Sequence, residues 1–293
     1  MMVRQVVRRG SRNLHPASFM RIILRSIHFV ITACACGATA ASAQSRAQSE
    51  GVTITFLANE GVMLSSGTRK VLIDALFLKY GPGYAVPADS TQRALHNARL
   101  PFDQVDLILV THRHGDHFHP VPAAAHLRMN PRAHLVTSQQ VIDSLRAGAS
   151  GLPDARILSR TTPPGLVRRE VVDGITVHLL GLPHGGERHR QVEHLGYMVE
   201  LGGRRVLHVG DTDISEAAFA PLRLDTARID VALLPAWMVT SRAGRQVIER
   251  WIRPRQVIAI HVGDGEESRT SREVQAAMPT AITFARRLES RRF

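Results

Sequence analysis

A layered α/β fold is predicted by two features of the 293-residue chain. Short apolar runs rich in branched residues, typical of strands, alternate with longer stretches that carry helix cap residues. The composition, 44% hydrophobic and 21% charged, is ordinary for a globular protein, and the length suits one large domain or two small ones. Such alternation favours helices packed against sheets that contain parallel strands.

The first 43 residues differ from the rest and are predicted to be a secretory signal peptide. They contain six Arg and no Asp, Glu or Lys. A short apolar run then leads to Ala41-Ser42-Ala43, the small-residue pattern of a cleavage site. Met20 is the alternative start of translation. Residues 44–293 are then expected to be a single domain that is periplasmic or secreted, and the alternative is a lipoprotein anchored through Cys34.

The charge and the cysteines of the chain limit its partners and its ligands. Both cysteines, Cys34 and Cys36, lie in the signal segment, so the mature chain has no disulfide framework and no thiolate metal ligand. We find no basic run with interleaved aromatic residues, and nucleic acid is therefore not expected as a partner. The apolar run is too short to span a bilayer, so no transmembrane segment is expected in the mature chain. A small-molecule substrate is the expected partner, and the oligomeric state is left open.

The first half of the domain alternates strands with helices. Turn residues such as Asn59-Glu60-Gly61 separate the apolar runs, and Ser138 stands where a helix cap is expected. Residues 78–88, rich in Gly, Pro and Tyr, are predicted to be a loop beside the substrate pocket. Strands are predicted over residues 52–57, 62–64, 70–77, 105–110 and 133–136, and helices over residues 89–98, 120–129 and 138–147.

The second half begins with hairpins. Asp173-Gly174 and Gly202-Gly203 separate apolar runs in the manner of hairpin turns. Strands are predicted over residues 170–172, 175–180, 195–201, 204–209, 229–234 and 256–260. Helices are predicted over residues 213–221, 241–251 and 271–278.

A cluster of metal-ligand residues follows the strand at 105–110. Residues 111–118 read Thr-His-Arg-His-Gly-Asp-His-Phe. In extended backbone, His112 and His114 point the same way, whereas Asp116 and His117 can face a second centre. Imidazole and carboxylate suit zinc, and also iron or manganese. Asp74, inside the apolar run 70–77, is predicted to be a carboxylate that accepts a hydrogen bond from a ligand histidine or a loop amide.

Three later residues also stand at strand ends with glycine nearby, namely His184, Asp211 and His261. If the four strand-end loops converge, they provide enough ligands for two divalent ions, of which zinc is the expected one and Mn²⁺ or Fe²⁺ the alternatives. We assign His112, His114 and His184 to one ion, Asp116, His117 and His261 to the other, and Asp211 to a bridging position.

These motifs resemble, in the same order, those of the metallo-β-lactamase superfamily. The His-x-His-x-Asp-His signature at His112–His117, the lone His184, the Gly210-Asp211-Thr212 turn and the final His261 carry the resemblance, which covers roughly residues 50–285. The stretch 195–212 is most similar to the ascorbate-phosphate-lactonase-like branch. The resemblance implies a four-layer αββα sandwich with a dinuclear site at one edge.

One position argues against antibiotic hydrolysis. The best-known true β-lactamases of this superfamily have a cysteine where this chain has Asp211. Aspartate there resembles the hydrolases of thioesters, lactones and phosphodiesters. The expected activity is hydrolysis of an ester, lactone or related bond by a hydroxide that the two metals activate. A phosphodiesterase or nuclease, a non-catalytic metal-binding protein and a β-lactamase are the alternatives.

The remaining predicted site residues surround the metals. Asp116 is predicted to act in catalysis as well as in binding, by orienting the hydroxide. His189 and His194 closely follow His184, and either could be the third ligand or an acid near the leaving group. We prefer His184 as the ligand and predict His194 to be the catalytic residue of the pocket. The candidate pocket walls are aromatic, and they are Tyr80, Tyr84, Phe118 and Trp237.

Overall fold

The computed structural model describes residues 51–284 and 286–293. The predicted signal peptide, the alternative start at Met20 and the candidate lipid attachment site at Cys34 lie outside the described residues, and these three predictions stay predictions.

The first of two seven-stranded sheets contains the N-terminal half of the domain and the last strand of the chain. Its order is β14-β1-β2-β3-β4-β5-β6. Strands β1 to β3 form an antiparallel meander, and β4, β5 and β6 then add in parallel. The strands are Thr53–Ala58 (β1), Gly61–Ser66 (β2), Arg69–Ile73 (β3), Leu107–Leu109 (β4), His134–Thr137 (β5), Ile157–Ser159 (β6) and Ser290–Arg292 (β14).

The second sheet repeats this plan. Its order is β13-β12-β11-β10-β9-β8-β7, with β7 to β10 antiparallel and β11 to β13 added in parallel. Two similar half-sandwiches thus face each other. The strands are Val167–Val172 (β7), Ile175–Gly181 (β8), Leu195–Leu201 (β9), Arg204–His208 (β10), Val231–Pro235 (β11), Gln256–Ile260 (β12) and Ile282–Thr283 (β13).

Helices cover the outer face of each sheet. Helices α1 to α3 contribute Leu95, Leu127 and Val141 to a buried cluster on the first sheet. Helices α4 to α7 contribute residues such as Met238 and Val274 to a similar cluster on the second sheet. The helices are Asp89–His96 (α1), Pro120–Met129 (α2), Gln139–Gly148 (α3), Glu216–Phe219 (α4), Ala236–Thr240 (α5), Arg242–Val247 (α6) and Glu267–Ala277 (α7).

A third buried cluster lies between the two sheets and includes Ile54, Leu64, Val199 and Leu233. The layers therefore run helix, sheet, sheet, helix, and the predicted αββα sandwich is confirmed. Within the described residues, no helix is both long and apolar enough to cross a membrane.

The differences from the predicted elements have local causes. The strand predicted over 70–77 ends at Ile73, because Asp74 adopts a left-handed backbone with φ 46°. Strands β6, β13 and β14 were not predicted, because each has only two or three residues and lacks an apolar alternation. Helix 241–251 is interrupted, since α6 ends at Val247 and continues as one π-helical turn over Ile248–Ile252.

One side chain, that of Tyr197, connects the two sheets beside the loop that contains the predicted metal ligands. The phenol of Tyr197 on β9 is fully buried and donates to the carbonyl of Val110, 2.7 Å away, at the end of β4. The same oxygen lies 3.3 Å from the carbonyl of Val136 on β5. The hydroxyl thus links the second sheet to the strand ends from which the metal-ligand loop starts.

Replacing Tyr197 by Phe is expected to lower the free energy of unfolding by ~1–2 kcal/mol, since two buried carbonyls lose a shared donor. Urea unfolding followed by circular dichroism measures this loss. Tyr80→Phe, at an exposed tyrosine, is the control. Equal stability of the two variants would show that the inter-sheet hydrogen bond contributes nothing.

Candidate metal centre

The predicted ligands come together because all the strands that carry them end at one edge of the sandwich. His112 to His117 follow β4, and Asp211 and His261 follow β10 and β12 of the second sheet. β8 precedes His184 and runs in the same direction as β10, since both are antiparallel to β9 between them. The loops therefore meet across the two sheets, and the seven predicted ligands form two groups.

The first group consists of His112, His114 and His184. The Nδ1 of His114 lies 2.9 Å from the Nε2 of His112 and 3.2 Å from the Nε2 of His184. The outer nitrogens carry the protons: His112 Nδ1 donates to the hydroxyl of Thr111 at 3.0 Å, and His184 Nδ1 donates to the carbonyl of Gly185 at 2.7 Å. The Nε2 atoms of His112 and His184 are then lone pairs that both face Nδ1 of His114, and this set of three nitrogens fits a divalent cation.

The second group consists of Asp116, His117, Asp211 and His261. The Nε2 atoms of His117 and His261 each lie 3.4 Å from Oδ2 of Asp116. Oδ1 of Asp211 is 3.4 Å from the former and 3.5 Å from the latter. These four atoms are too far apart for ordinary hydrogen bonds, and the two imidazole nitrogens and Asp211 Oδ1 are buried without a partner. Two unpaired imidazole nitrogens and an unpaired carboxylate oxygen are ligand atoms that fit a divalent ion.

Opposite charges dominate the second group. Burial opposes ionisation of all four side chains, but Asp211 and Asp116 raise the pKa of His261 to about 10, and Asp211 raises the pKa of His117 well above its usual range. In turn the two histidines hold the pKa of Asp116 and of Asp211 low. A liganding imidazole must be neutral, so an ion at this place would displace two protons.

The first group is held neutral instead. Burial lowers the pKa of His112 far below its usual range, and burial together with the neighbouring His184 lowers the pKa of His114 to about 4. These imidazoles are uncharged at neutral pH, which is the state that binds a metal.

Asp74 connects the two groups, as the sequence predicted. The carboxylate is fully buried and accepts from the backbone N–H of Thr111 at 2.8 Å and from its hydroxyl at 2.6 Å. Its Oδ2 also accepts from His117 Nδ1 at 2.9 Å. Because the Thr111 hydroxyl accepts from His112, one carboxylate orients a histidine of each group and turns both Nε2 atoms inward.

The turn between β1 and β2 supports the second group, and the sequence analysis predicted only a turn there. The amide of Asn59 donates to the backbone carbonyl and to Oδ2 of Asp116, both at 3.2 Å. The carbonyl of Asn59 accepts from the backbone N–H of His261 at 2.8 Å. One loop therefore fixes two ligands. The polar pair Asn59-Glu60 between two apolar strands is the sequence feature that could have indicated this supporting role.

Glu60 in the same turn has no hydrogen-bond partner at either carboxylate oxygen. Burial and the charge of Asp211 raise its pKa well above the usual range. Glu60, Asp74 and His208 lie close enough for a third metal site, but the ligand atoms of Asp74 and His208 already take part in hydrogen bonds. Asp74 accepts three hydrogen bonds, and His208 donates to the Glu60 carbonyl and accepts from the Gly210 N–H. This cluster therefore supports the centre and does not bind an ion itself.

His194 does not fit the predicted role of an acid. It is 6% exposed, its Nδ1 donates to the carbonyl of Leu182, and burial lowers its pKa to about 3. At neutral pH it has no acidic proton to give. His189 occupies the more open position, with its ring 4.8 Å from that of His114 and 4.7 Å from that of His184.

The structure separates the four aromatic candidates. Trp237 is 38% exposed, and its ring lies 4.6 Å from that of His261. Tyr84 packs on the same imidazole at 6.1 Å and on Tyr80 at 5.2 Å. Phe118 was a wrong prediction, because it belongs to the buried cluster beneath α1 to α3 and only its backbone pairs with Leu76.

Tyr80 explains the glycine in the signature. A Cβ built on Gly115 would lie 2.5 Å from the Tyr80 ring. Only glycine lets this ring cover the metal-ligand loop. The three aromatic residues that remain, Tyr80, Tyr84 and Trp237, form a rim on the side of the second group.

A fold of this topology with two adjoining His/Asp groups at the strand ends defines a metal-dependent enzyme of the αββα class. The sequence model of the Beta-lactamase superfamily domain matches residues 69–293. The chain therefore belongs to the metallo-β-lactamase superfamily and is a metal-dependent hydrolase.

Relatives with curated names agree with this class. A UPF0173 metal-dependent hydrolase of Thermococcus kodakarensis is 28% identical over 217 residues, which are 72% of this chain and 84% of the relative. Another, from a Polaromonas species, is 24% identical over 262 residues, which are 83% of this chain and 88% of the relative.

Solved structures share the fold at low sequence identity. The metallo hydrolase Igni18 from Ignicoccus hospitalis matches with a TM-score of 0.56 and 17% identity, over 83% of this chain and 98% of its own. An isothiocyanate hydrolase from Delia radicum gut bacteria matches with a TM-score of 0.58 and 14% identity, over 82% of this chain and 99% of its own. These similarities establish the fold and not the substrate.

Replacing Asp74 by Asn is expected to weaken binding of both ions by roughly 10- to 100-fold, since the acceptor that orients His112 and His117 is lost. Competition with a chelator, followed by metal analysis, measures both affinities. Asp89→Asn on the exposed start of α1 is the control. Unchanged affinities in a folded Asp74→Asn protein would contradict the shared role of this carboxylate.

The burial of His194 predicts how the stability of the metal-free protein, prepared with a chelator, decreases at acidic pH. Its pKa is lowered by burial from 6.5 to about 3 in the fold, so its contribution to stability is complete above pH 6.5 and is lost as the pH falls toward 3. Between pH 6.5 and 4.5, His194→Gln should lose less stability than the parent, by ~2 kcal/mol.

Urea unfolding at the two pH values measures that difference for each protein. His134→Gln, at the start of β5, is the matched control for loss of an imidazole. If parent and His194→Gln lose equal stability on acidification, the buried neutral state assigned to His194 is wrong.

Proposed function

We propose that this enzyme hydrolyses an ester, lactone or related bond of a small molecule at a centre of two divalent ions. The observation that carries the proposal is the pair of adjoining donor groups with an aspartate, Asp211, in place of a thiolate. In this proposal, His112, His114 and His184 would hold one ion, Asp116, His117 and His261 would hold the other, and Asp211 would bridge them. Asp211 Oδ1 lies within 3.5 Å of the Nε2 atoms of His117 and His261, which supports its role at the second ion.

When bound, the two ions lower the pKa of a water molecule toward neutrality and polarise the oxygen of the scissile bond. The chain supplies the orientation. Asn59 fixes the carboxylate of Asp116, which stays ionised because its pKa is low, and this carboxylate accepts a hydrogen bond from the attacking water. Asp74 keeps the protons of His112 and His117 on the outer face of each ring. No serine or cysteine nucleophile is required.

The donor set fits zinc, because the first group is made entirely of imidazoles. Mn²⁺ and Fe²⁺ are compatible with the second group, which is richer in carboxylate. The proposed setting is the periplasm or the cell exterior, on the basis of the N-terminal sequence, with the lipid anchor at Cys34 as the alternative. The mass of the exported chain distinguishes them.

Purified protein, expressed from residue 44 and loaded with zinc or manganese, is expected to contain about two ions per chain and to hydrolyse members of one class in a substrate panel. The panel holds lactones, carboxylate esters, thioesters, a phosphodiester, a β-lactam and an isothiocyanate. Asp116→Ala and His112→Ala should reduce kcat by at least about a thousandfold, while circular dichroism shows a folded protein.

Asp143→Ala, at an exposed residue of α3, is the control for these variants. Full activity of Asp116→Ala in a metal-replete assay would refute the assignment of this residue. Turnover of the phosphodiester alone would replace the proposal by a phosphodiesterase, and the absence of bound metal would replace it by a protein without metal catalysis.

A further inference from the structure

A cavity of about 590 Å³ opens beside the first group of ligands and has no part in the mechanism above. It lies between two loops, residues 160–164 and residues 182–195, and His184 forms part of its wall. Cavities of this volume hold drug-sized ligands. Because the predicted metal ligand His184 is in the wall, the cavity adjoins the place where the scissile bond is proposed to lie.

The floor of the cavity is apolar. Leu182 and Leu195 stand at the ends of β8 and β9 and are each 2% exposed. A Cβ on Gly196 would lie 2.7 Å from Leu182 Cδ1, so the glycine lets this side chain pack in place. Pro164 and Val192 continue the apolar surface from the two loops. An apolar group bound there is removed from water, which is favourable.

Neither arginine of the lining is without a carboxylate partner. Arg160 donates from Nε to Glu170 at 2.6 Å, and Arg190 pairs with Glu187 at 2.5 Å. Each of these ion pairs carries no net charge. A phosphate or a carboxylate of a substrate would have to compete with Glu170 and Glu187 for the two guanidinium groups.

The acidic groups of the lining are also engaged. Glu193 accepts from the backbone N–H of Gln140 at the start of α3, and Asp213 accepts from the N–H of Ser215. Together with Glu187 they outnumber the two arginines of the lining. The charged side chains of the lining, three acidic and two basic, therefore provide no net positive charge of their own.

We infer that this cavity binds an uncharged, apolar acyl chain of the substrate, which makes the substrate a medium-chain ester or lactone. The inference rests on the proposed function for the position of the scissile bond. It goes beyond it by naming the part of the substrate that the cavity holds. The acyl chain occupies the cavity beside His184, and the leaving group points toward the aromatic rim of Tyr80, Tyr84 and Trp237.

The test compares p-nitrophenyl acetate with p-nitrophenyl hexanoate. The metal-loaded protein should show a kcat/KM at least about tenfold higher for hexanoate, because four more methylenes are buried. Val192→Trp fills the cavity from one loop and Pro164→Trp from the other. Each should reduce the hexanoate-to-acetate ratio by at least about fivefold. Val171→Trp, at an exposed valine of β7, is the matched control and should keep the ratio of the parent.

A binding assay separates this inference from the proposed function. N-phenyl-1-naphthylamine, an uncharged apolar dye, should fluoresce on binding to the parent and to Val171→Trp, and much less with Val192→Trp. If the dye behaves in this way but no ester or lactone is hydrolysed, the proposed function fails and the apolar cavity stands. Equal dye binding by all variants, or a hexanoate-to-acetate ratio near one in the parent, overturns the inference.

Discussion

The whole centre depends on the hydrogen bonds that the buried carboxylate of Asp74 accepts. It stands where β3 ends, in a left-handed backbone conformation that aspartate tolerates better than most residues. Three donors converge on it, two from Thr111 and one from His117. In a site without access to water such bonds are stronger than at the surface, and losing the acceptor would leave three unsatisfied donors. The tautomers of histidines in both groups follow from this one residue.

The electrostatics of the centre explain why it is made to hold cations. The first group turns neutral imidazole lone pairs toward one another, and the second group places two carboxylates between two imidazoles. Protonated histidines balance the carboxylates of the second group when no ion is bound, and a divalent ion would take the place of those protons. Glu60, which is buried without a partner, adds a further acidic group beneath the second group and near His117. The protein therefore stores its polar groups where divalent ions satisfy them.

Ligand geometry and substrate preference arise from different parts of the fold. The ligands follow strands of the two sheets, whose register is fixed by the core between them. The cavity and the aromatic rim are built from loops, namely 160–164, 182–195 and the segment of Tyr80 and Tyr84. Loops change without cost to the core, which is how one metal centre serves many substrates in a common fold. The aspartate at position 211 limits the type of reaction, whereas the loops limit which substrate molecules can bind.

The sequence by itself predicted the α/β layers, most strands and helices, the seven candidate ligands that the structure brings together and the supporting role of Asp74. It did so because apolar periodicity and ligand chemistry are local properties of the chain. Only the tertiary structure decided that Phe118 is buried, that His194 is held neutral behind the ligands, and that Asn59 positions Asp116 and His261. These facts depend on contacts between residues that are distant in the chain, such as the amide of Asn59 with Asp116, and contacts of that kind leave no periodic pattern to detect.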